Sequence, residues 1–313
     1  MLNFDGLLSE VTNYPVKKVA IAAAQDHTVI EAALRARKEK IAEPLFTGDE
    51  GRIKEVAESH GLDIRGIPLI HCADEIEAAK QAVQAVVEGK ADIVMKGYIH
   101  TDDFLRAVLN KEKGLRTGVI MSHVFAAELP GRDRLLFVTD GAMNIAPNLE
   151  HKAEIVLNAV HLAQVLGYAE PRVAALAAVE LLNPAMTATI DATCLHTMGE
   201  RRQFSPKCIV DGPYALDNAI SELAARHKGI SGAVAGNADI LLVPDIEAGN
   251  ILVKSLVYFA GARVAGVVVG AKNPVVLTSR ADSAESKFLS IALGVYLTSI
   301  ERHLKLKIGK VHY

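Results

Sequence analysis

The stretch ADIVMKGYIHTDDFLRAV (91–108) passes within a few residues from a strand pattern into a helix pattern. Residues 91–97 are largely apolar up to Lys96 and Gly97, which is how a strand reads when helices cover both faces of its sheet. Thr101 then stands before two acidic residues, as an N-cap does before a helix. The stretch therefore predicts one strand–helix unit of an α/β fold.

The same alternation continues along the chain. We predict strands at 16–24, 44–48, 67–70, 91–97, 134–141, 172–179, 208–213, 238–246 and 263–270. Helical patterns separate them, three of them capped by Asp26, Asp49 and Asp74, and a last helix is expected from about 283 to 304. Strand–helix alternation over the whole length predicts an α/β protein with mainly parallel sheets.

Length and composition narrow the class of protein. The 313 residues, about half of them apolar, suit one large or two medium domains. We place one domain at 1–138 plus about 288–313, and a second at 139–287. The net charge of −3 gives no indication of the basic face that binds nucleic acid, so no nucleic-acid partner is expected. Three cysteines without a CxxC pair indicate neither a disulfide framework nor a zinc site.

The ends and the hydropathy pattern bear on location. The N-terminal residues MLNFDGLLSEVTNYP (1–15) lack the basic-then-apolar layout of a signal peptide. No apolar run reaches the roughly 18–20 residues that a membrane helix needs. We therefore expect a cytoplasmic protein with no membrane partner.

Polar residues follow several predicted strands or lie on the helices after them. In open α/β sheets, ligands bind beyond the carboxyl ends of the strands. The candidate substrate-binding residues are Lys96, Gly97, His100, Thr101, Asp140, Asn144, Asn250, Lys254 and Lys272. Backbone N–H groups at a helix start bind anions, and Gly97 permits close approach, so we expect an anion beside Thr101 and within reach of Arg106. Gly249 and Asn250 interrupt the passage from the predicted strand at 238–246 to the helix that follows it. This interruption predicts close approach of a ligand at that point.

The segment NPVVLTSRADSAESK (273–287) places a hydroxyl and a guanidinium side by side at Ser279 and Arg280. Arg is suited to phosphate because its planar fork is bidentate and always charged. Asp282 and Glu285 then supply helix-capping groups or proton acceptors. Such residues also serve as ordinary caps, so this segment gains weight only together with the others.

Other catalytic signatures are missing from the sequence. There is no GxGxxG after the first strand, no Walker loop, no GxSxG elbow and no HExxH. The histidines show no metal-ligand spacing. We therefore expect no metal site and no bound redox cofactor.

Four segments together resemble one family. They are MKGYIHTDDFLRAV (95–108), TDGAMN (139–144), PDIEAGNILVKSLVYFAG (244–261) and GAKNPVVLTSRADSAESK (270–287). In this order they resemble the phosphate acetyltransferases and phosphate butyryltransferases, and the resemblance spans about residues 15 to 300. The chain length and the form SRADSAESK (279–287) are more similar to the butyryltransferase branch.

The resemblance implies a fold and a reaction. The fold is two three-layer α/β/α domains with a cleft between them, related to isocitrate and isopropylmalate dehydrogenases, in a homodimer or larger homo-oligomer. The reaction is acyl-CoA + phosphate ⇌ acyl phosphate + CoA, by direct transfer without a metal. Coenzyme A is a substrate there, and no bound cofactor takes part.

The resemblance also implies residue roles. The catalytic Ser-Arg pair of the family falls on Ser279 and Arg280, and a further catalytic Arg falls on Arg106. The position of the acetyltransferases' catalytic Asp holds Ser286 here. Asp282 and Glu285 are therefore the alternative candidates for the catalytic base.

Competing functions remain open at this point. The acyl group is butyryl or, alternatively, acetyl, because one methylene in an apolar pocket discriminates by only about 1–3 kcal/mol. An NAD- and metal-dependent dehydrogenase of the same superfold would need clustered metal ligands. A non-catalytic acyl-CoA-binding protein would be expected to lose the Ser-Arg pair. A transferase of long fatty acyl chains would bind CoA differently.

Overall fold

The computed structural model describes residues 3–304 and 308–312, and it divides the chain into two compact units. The first unit comprises Phe4–Val119 and residues 264–304. The second comprises residues 120–263 with the described residues of the two chain ends, 3 and 308–312. Each unit is built from alternating strands and helices, so the predicted α/β class is confirmed.

The elements follow one another along the chain as the strand–helix alternation predicts. Up to residue 119 they are α1 (Phe4–Val11), β1 (Lys17–Ala22), α2 (His27–Lys38), β2 (Ala42–Gly48), α3 (Glu50–Ser59), β3 (Leu69–His71), α4 (Glu75–Val87), β4 (Ile93–Lys96) and α5 (Thr101–Val108). After it they are β5 (Ser122–Glu128), β6 (Leu136–Thr139), α6 (Leu149–Val165), β7 (Arg172–Leu176), α7 (Thr187–Glu200), β8 (Phe204–Ser205), β9 (Ile209–Tyr214), α8 (Leu216–Ile220), α9 (Glu222–His227), β10 (Ile240–Leu242), α10 (Ile246–Tyr258), β11 (Arg263–Val269), β12 (Val275–Val276), α11 (Ala284–Leu304) and β13 (Lys310–Val311).

The sheet of the first unit has the strand order β3-β2-β1-β4-β12-β11. Its strands run parallel except that β11 and β12 form an antiparallel pair. Helix α2 packs on α11, while α4 packs on α5, and both pairs also contact the sheet. Strand β4 is buried at every position and lies between β1 and β12. This central position explains its apolar sequence.

The sheet of the second unit has the order β5-β6-β10-β7-β9. Strands β5 and β6 pair antiparallel, and the other pairs are parallel. Helices α6 and α7 contact the strands and each other. The short strands β8 and β13 pair separately. None of the helices that the structure describes is long and apolar enough to cross a membrane.

The bounds of the units differ from the division that the sequence predicts, near 138 and 288. Strand β5 pairs with β6, so the chain enters the second unit at residue 120 rather than 139. Strand β12 pairs with β4, so the chain is back in the first unit from Val264 rather than 288. Sequence patterns miss this because strand pairing is a long-range property that local hydropathy does not carry.

The sequence analysis also missed β5 altogether. Its first residues are Ser122 and His123, which look like loop residues but are fully buried. The Ser122 hydroxyl accepts a hydrogen bond of 2.8 Å from Asn158 Nδ2 on α6, which satisfies it inside the core. The apolar run that follows, 124–127, is only four residues long and ends at Glu128, which makes the strand hard to tell from a loop.

Helix starts are mostly as predicted. Asp26, Asp49 and Asp74 each accept a backbone N–H at the start of their helices, as N-caps do. At α5 the prediction is wrong, because His100 is the N-cap residue, without a side-chain capping bond, and Thr101 is the first helical residue.

The predicted break at Gly249 and Asn250 is also wrong. Both residues lie inside the continuous helix α10, which Asp245 caps. A Cβ at Gly249 would collide with the backbone of Gly141, so this glycine lets the helix approach the loop after β6. Close packing of helix on loop, rather than a helix start, explains the glycine.

Gly97 offers a test of how tightly the strand ends pack. A Cβ at this position would meet the carbonyl oxygens of Ala22 and Ala23 at 2.5 and 2.4 Å, whereas a Cβ at Gly51 in α3 would meet one side-chain oxygen of Asp49, at 3.3 Å. We expect Gly97→Ala to lower the free energy of unfolding by about 1–3 kcal/mol, as overpacking does. Gly51→Ala, the matched control, should leave it within about 1 kcal/mol of wild type or above. Urea titration of both variants would contradict this packing if Gly97→Ala were as stable as Gly51→Ala.

Candidate functional site

Three chain segments meet at one edge of the first unit's sheet. Strands β1, β4 and β12 are parallel neighbours, and their register pairs Ala22 with Lys96 and Met95 with Val276. The residues that follow these strands therefore emerge side by side at the carboxyl edge. This brings Lys96, from the middle of the chain, close to Thr278, from its last third.

Lys96 is the last residue of β4 and is only 2% exposed. Its Nζ donates to the carbonyl oxygens of Thr278 at 3.4 Å and Gly97 at 3.5 Å. Both bonds are long, and an ammonium has three N–H groups, so Lys96 retains capacity for a stronger acceptor. Burial first, and then the positive charges of Arg280 and Lys287, lower the pKa of Lys96 to about 8, while the carboxylates of Asp282 and Asp26 oppose the shift.

Ser279 and Arg280 lie on an exposed turn directly after β12. The turn is closed by Asp282, whose Oδ2 accepts the N–H of Ser279 at 2.7 Å. Ser279 in turn accepts the Asp282 N–H at its carbonyl, 3.2 Å, and the Ala281 N–H at its Oγ, 3.3 Å. The Asp282 carboxylate therefore shapes the turn that presents Ser279 and Arg280.

The Arg280 guanidinium reaches back toward the loop after β4. Its Nη2 lies 3.5 Å from Nδ1 of His100, and its Cζ lies 5.8 Å from the centre of the Tyr98 ring. A guanidinium near an aromatic face gains a modest cation–π attraction. These contacts direct Arg280 toward the segment that the sequence analysis had picked out independently.

Lys287 completes the group from the first turn of α11. It is 1% exposed, and its Nζ donates to the carbonyl oxygens of Arg280, at 3.4 Å, and Asp282. Burial lowers the pKa of Lys287, while the carboxylates of Asp26 and Asp282 oppose that shift. We call Lys96, His100, Arg280, Asp282 and Lys287 the Lys96 cluster.

Charge in and around this cluster is predominantly positive. The positive charges of Arg280 and Lys287 act on Lys96, and the carboxylates of Asp26 and Asp282 oppose their effect. Asp26 is already engaged at the start of α2, where it accepts the Val29 N–H at 3.0 Å. Such a group of cations at the carboxyl edge of parallel strands suits a small anion such as phosphate.

The other predicted residues of the first unit lie around this group. Arg106 is on α5, with its side chain 78% exposed, and its Nη1 donates to Asp103 at 2.9 Å. Among the residues that the structure describes, its bonded partner is thus Asp103 rather than a member of the Lys96 cluster. Glu285 lies in the first turn of α11, and Lys272 is exposed before β12.

Four predicted residues belong to the second unit, and three of them meet there. The Asp140 carboxylate, 2% exposed, accepts the N–H groups of Ala142, Met143 and Asn144. Asn144 Nδ2 also donates to it at 2.6 Å. Asn250 Nδ2 donates to the Gly141 carbonyl at 3.3 Å, so it contacts the same loop. Asp140 is therefore the organiser of its own loop.

Lys254 is exposed on α10, one helical turn after Asn250. Positions four apart lie on one face of a helix, so Lys254 and Asn250 share a face. Asn250 brings that face to the loop after β6, which carries Asp140 and Asn144.

Sequence reasoning missed two residues of the site. Lys287 ends the segment 273–287, where its sequence pattern is that of a charged residue on the surface of a helix. Thr278, beside Ser279, is 5% exposed, and its Oγ1 is buried without a hydrogen-bond partner among the described residues. The signal for Lys287 was its place in the first turn of a helix otherwise rich in apolar residues, where an isolated Lys points to a buried role.

Comparison with known proteins gives consistent results. Residues 73–295 match the phosphate acetyl/butaryl transferase family. The chain is 48% identical over 297 residues to a phosphate butyryltransferase of Clostridium beijerinckii, covering 95% of this chain and 98% of that protein. It is 46% identical over 286 residues to a phosphate acetyltransferase of Thermotoga maritima, covering 91% and 97%. A branched-chain phosphotransacylase from Enterococcus faecalis V583 matches with a TM-score of 0.79 and 38% identity, covering 90% and 99%.

Lys96 gives the site a pH dependence that titration can detect. The pKa of Lys96 is about 8, so its side chain is positively charged below that pH and loses the charge as the pH rises above it. We expect the Kd for inorganic phosphate to rise about tenfold from pH 7 to pH 9, since about nine-tenths of Lys96 is then neutral. In Lys96→Met the Kd should be high already and should follow only the ionisation of phosphate itself.

Isothermal titration calorimetry from pH 6.5 to 9 measures both proteins. Lys90→Met, which removes an exposed lysine paired with Glu88, serves as the control and should titrate like wild type. The same pH slope in Lys96→Met as in wild type would contradict a role for the Lys96 charge in holding the anion.

Proposed function

The chain belongs to the phosphate acetyl/butyryl transferase family, and from that premise we propose that it transfers a short acyl group between coenzyme A and inorganic phosphate. The reaction is acyl-CoA + phosphate ⇌ acyl phosphate + CoA. The observation that carries this proposal is the Lys96 cluster, a set of cations beside the exposed hydroxyl of Ser279. We propose butyryl as the acyl group, because the butyryltransferase relative is 48% identical. Acetyl is the second candidate, since an acetyltransferase is 46% identical.

Phosphate binding is the first step that the geometry supports. Arg280 and Lys96 supply positive charge on neighbouring segments, and a planar guanidinium can donate two parallel bonds to phosphate. We propose that these two residues hold phosphate, with Arg106 as a further phosphate-binding group at the start of α5. The position of Arg106 in the segment that resembles the family supports this role.

Acyl transfer then follows from the positions of the two substrates. A phosphate oxygen attacks the thioester carbonyl, a carbon–oxygen bond forms, and the carbon–sulfur bond breaks as CoA leaves as thiolate. The carbonyl oxygen becomes negatively charged on the way, and Ser279 Oγ is the proposed hydrogen-bond donor to it. One well-placed donor of this kind contributes about 2.7–4 kcal/mol to transition-state stabilisation. Holding both substrates together supplies much of the rest.

The reverse direction needs a base, because the CoA thiol reacts as thiolate. Asp282 and Glu285 are the proposed acceptors of that proton. Asp282 uses Oδ2 to hold the Ser279 N–H, which leaves its other oxygen available to accept. Glu285 stands on the first turn of α11, three residues further along the chain.

Further substrate contacts are proposed from the sequence positions. Gly97, His100, Thr101 and Lys272 surround the Lys96 cluster along the chain and are proposed to contact phosphate or the acyl group. In the second unit, Asp140, Asn144, Asn250 and Lys254 are proposed to contact CoA. The bonds of Asp140, Asn144 and Asn250 around one loop support a shared function.

We infer the cellular setting from the same reasoning. The reaction needs neither a bound cofactor nor a metal, and its substrates are cytoplasmic metabolites, so the protein is proposed to act in the cytoplasm. We also propose a homodimer or larger homo-oligomer. Ile251, Tyr258 and Phe259 of the second unit are 66%, 68% and 90% exposed, and apolar side chains so exposed support an assembly surface.

The proposed reaction has a direct assay. With a thiol-reactive dye, we expect release of CoA from butyryl-CoA only when phosphate is present, and a kcat/KM at least about tenfold below it for acetyl-CoA. Sulfate at equal ionic strength is the control, since it matches the charge without attacking the thioester. If neither ester, nor any chain up to about eight carbons, released CoA in a phosphate-dependent way, the transferase function would be excluded.

Two arginines separate the parts of the phosphate site. We expect Arg280→Ala to lower kcat/KM by about 100-fold or more, since it removes a charged donor aimed at the reacting group. Arg106→Ala should raise the KM for phosphate about tenfold and change kcat less. Arg52→Ala, an exposed arginine on α3, is the matched control and should behave as wild type. Unchanged phosphate KM in Arg106→Ala would remove Arg106 from the site.

A further inference from the structure

Lys287 is a buried cation whose hydrogen bonds go to backbone carbonyl groups rather than to a carboxylate. Its side chain is 1% exposed, on the first turn of α11. The hydrogen-bond acceptors of its ammonium are the carbonyl oxygens of Arg280 and Asp282. Burying an ammonium in this way is unfavourable, as the lowered pKa of Lys287 shows. An apolar side chain of the same length would fill the space without that penalty.

The turn that Lys287 supports is exposed and short. Ser279 and Arg280 are exposed, and within the turn the hydrogen bonds join Ser279 to Ala281 and Asp282. Carbonyl groups of an exposed turn can bond to water as readily as to protein, so solvation alone does not select one conformation. Beyond the Asp282 carboxylate within the turn, selection comes from groups fixed in the core.

Two buried lysines provide that selection from the core side. Lys96 donates to the carbonyl of Thr278, and Lys287 donates to those of Arg280 and Asp282. Alternate carbonyl groups from 278 to 282 are thus held by cations from β4 and α11. Because these carbonyls are bonded to buried lysines, the backbone that carries the Ser279 hydroxyl and the Arg280 guanidinium is anchored on its core-facing side.

We propose that Lys287 is a positioning residue, which holds the Ser279–Asp282 turn in the one conformation that lets Ser279 and Arg280 meet the reacting phosphate and carbonyl. The role rests on the proposed acyl transfer reaction. Lys287 acts through the turn, so its loss disturbs the step that uses phosphate and leaves the binding of acyl-CoA largely intact.

Lys287→Met tests the role, because methionine keeps the length and the apolar stem and removes the donors. We expect kcat/KM for phosphate to fall at least 30-fold, with the KM for butyryl-CoA within threefold of wild type. The melting temperature should fall by only about a few degrees, because removing a buried charge offsets part of the cost of leaving two carbonyl groups without a donor. Lys287→Gln keeps one N–H donor group, so its kcat/KM for phosphate should lie between those of wild type and Lys287→Met. It replaces the methionine variant in the test if that variant does not fold.

Thr298→Val is the matched control within the same helix. Thr298 is 3% exposed, and its hydroxyl donates to the Gly294 carbonyl, far along α11 from the turn. It should alter stability and leave both KM values unchanged. Hydrogen exchange gives a readout independent of catalysis, and the amides of residues 279–283 should exchange faster in Lys287→Met than in Thr298→Val.

The outcomes are distinguishable. Wild-type protein without phosphate-dependent CoA release overturns the proposed function itself. Active wild type with unchanged phosphate kinetics in Lys287→Met overturns the positioning role alone, even if exchange in the turn increases. A loss that affects phosphate and butyryl-CoA equally, in proportion to a lowered melting temperature, also overturns it, because that is the result of general destabilisation.

Discussion

The unfavourable burial of Lys96 and Lys287 under one exposed turn is the constraint on which the rest of this site depends. An ammonium removed from water must find acceptors, and here the acceptors are carbonyl groups of residues 278–282. The positive charges of Lys96 and Lys287 near Arg280 would repel its guanidinium, so the electrostatics of the site favour an anion. In the proposed function, a bound phosphate would relieve both the repulsion and the incomplete hydrogen bonding of Lys96. On this proposal, the unfavourable burial of the two ammonium groups would give the site a preference for the charged substrate.

The fold explains why this arrangement needs distant segments of the chain. Parallel strands β1, β4 and β12 end at one edge, and the chain returns from the second unit to add β11, β12 and α11 to the first. That return places Ser279 and Arg280 beside Lys96, which precedes them by more than 180 residues in sequence. Gly97 allows β4 to end directly against the backbone of Ala22 and Ala23. Without a side chain at that point, the strand ends lie close enough for Lys96 to reach the turn.

The sequence supplied the fold class, most helix starts and the two segments that build the site. These features are local: an apolar run, a capping Asp, a Ser-Arg pair before a helix. It failed where the decisive contact is long-range or contrary to composition. Strand β5 was missed because its buried Ser122 and His123 are polar, and Lys287 was missed because a helix lysine is usually at the surface. The division between the units was misplaced for the same reason, since only strand pairing shows where β5 and β12 belong. Asp140 was expected at a ligand, and the structure engages its carboxylate with the N–H groups of its own loop.

The central claim is that phosphate binds at the carboxyl edge of β4 and β12, held by Lys96 and Arg280 of the Lys96 cluster. A crystal structure of the protein soaked with inorganic phosphate, in the absence of sulfate, tests it most directly. The account predicts an ordered phosphate with the Arg280 guanidinium and the Ser279 hydroxyl within hydrogen-bond distance, and Lys96 Nζ turned toward it. Phosphate ordered elsewhere on the protein, with only water beside Arg280, would contradict the account.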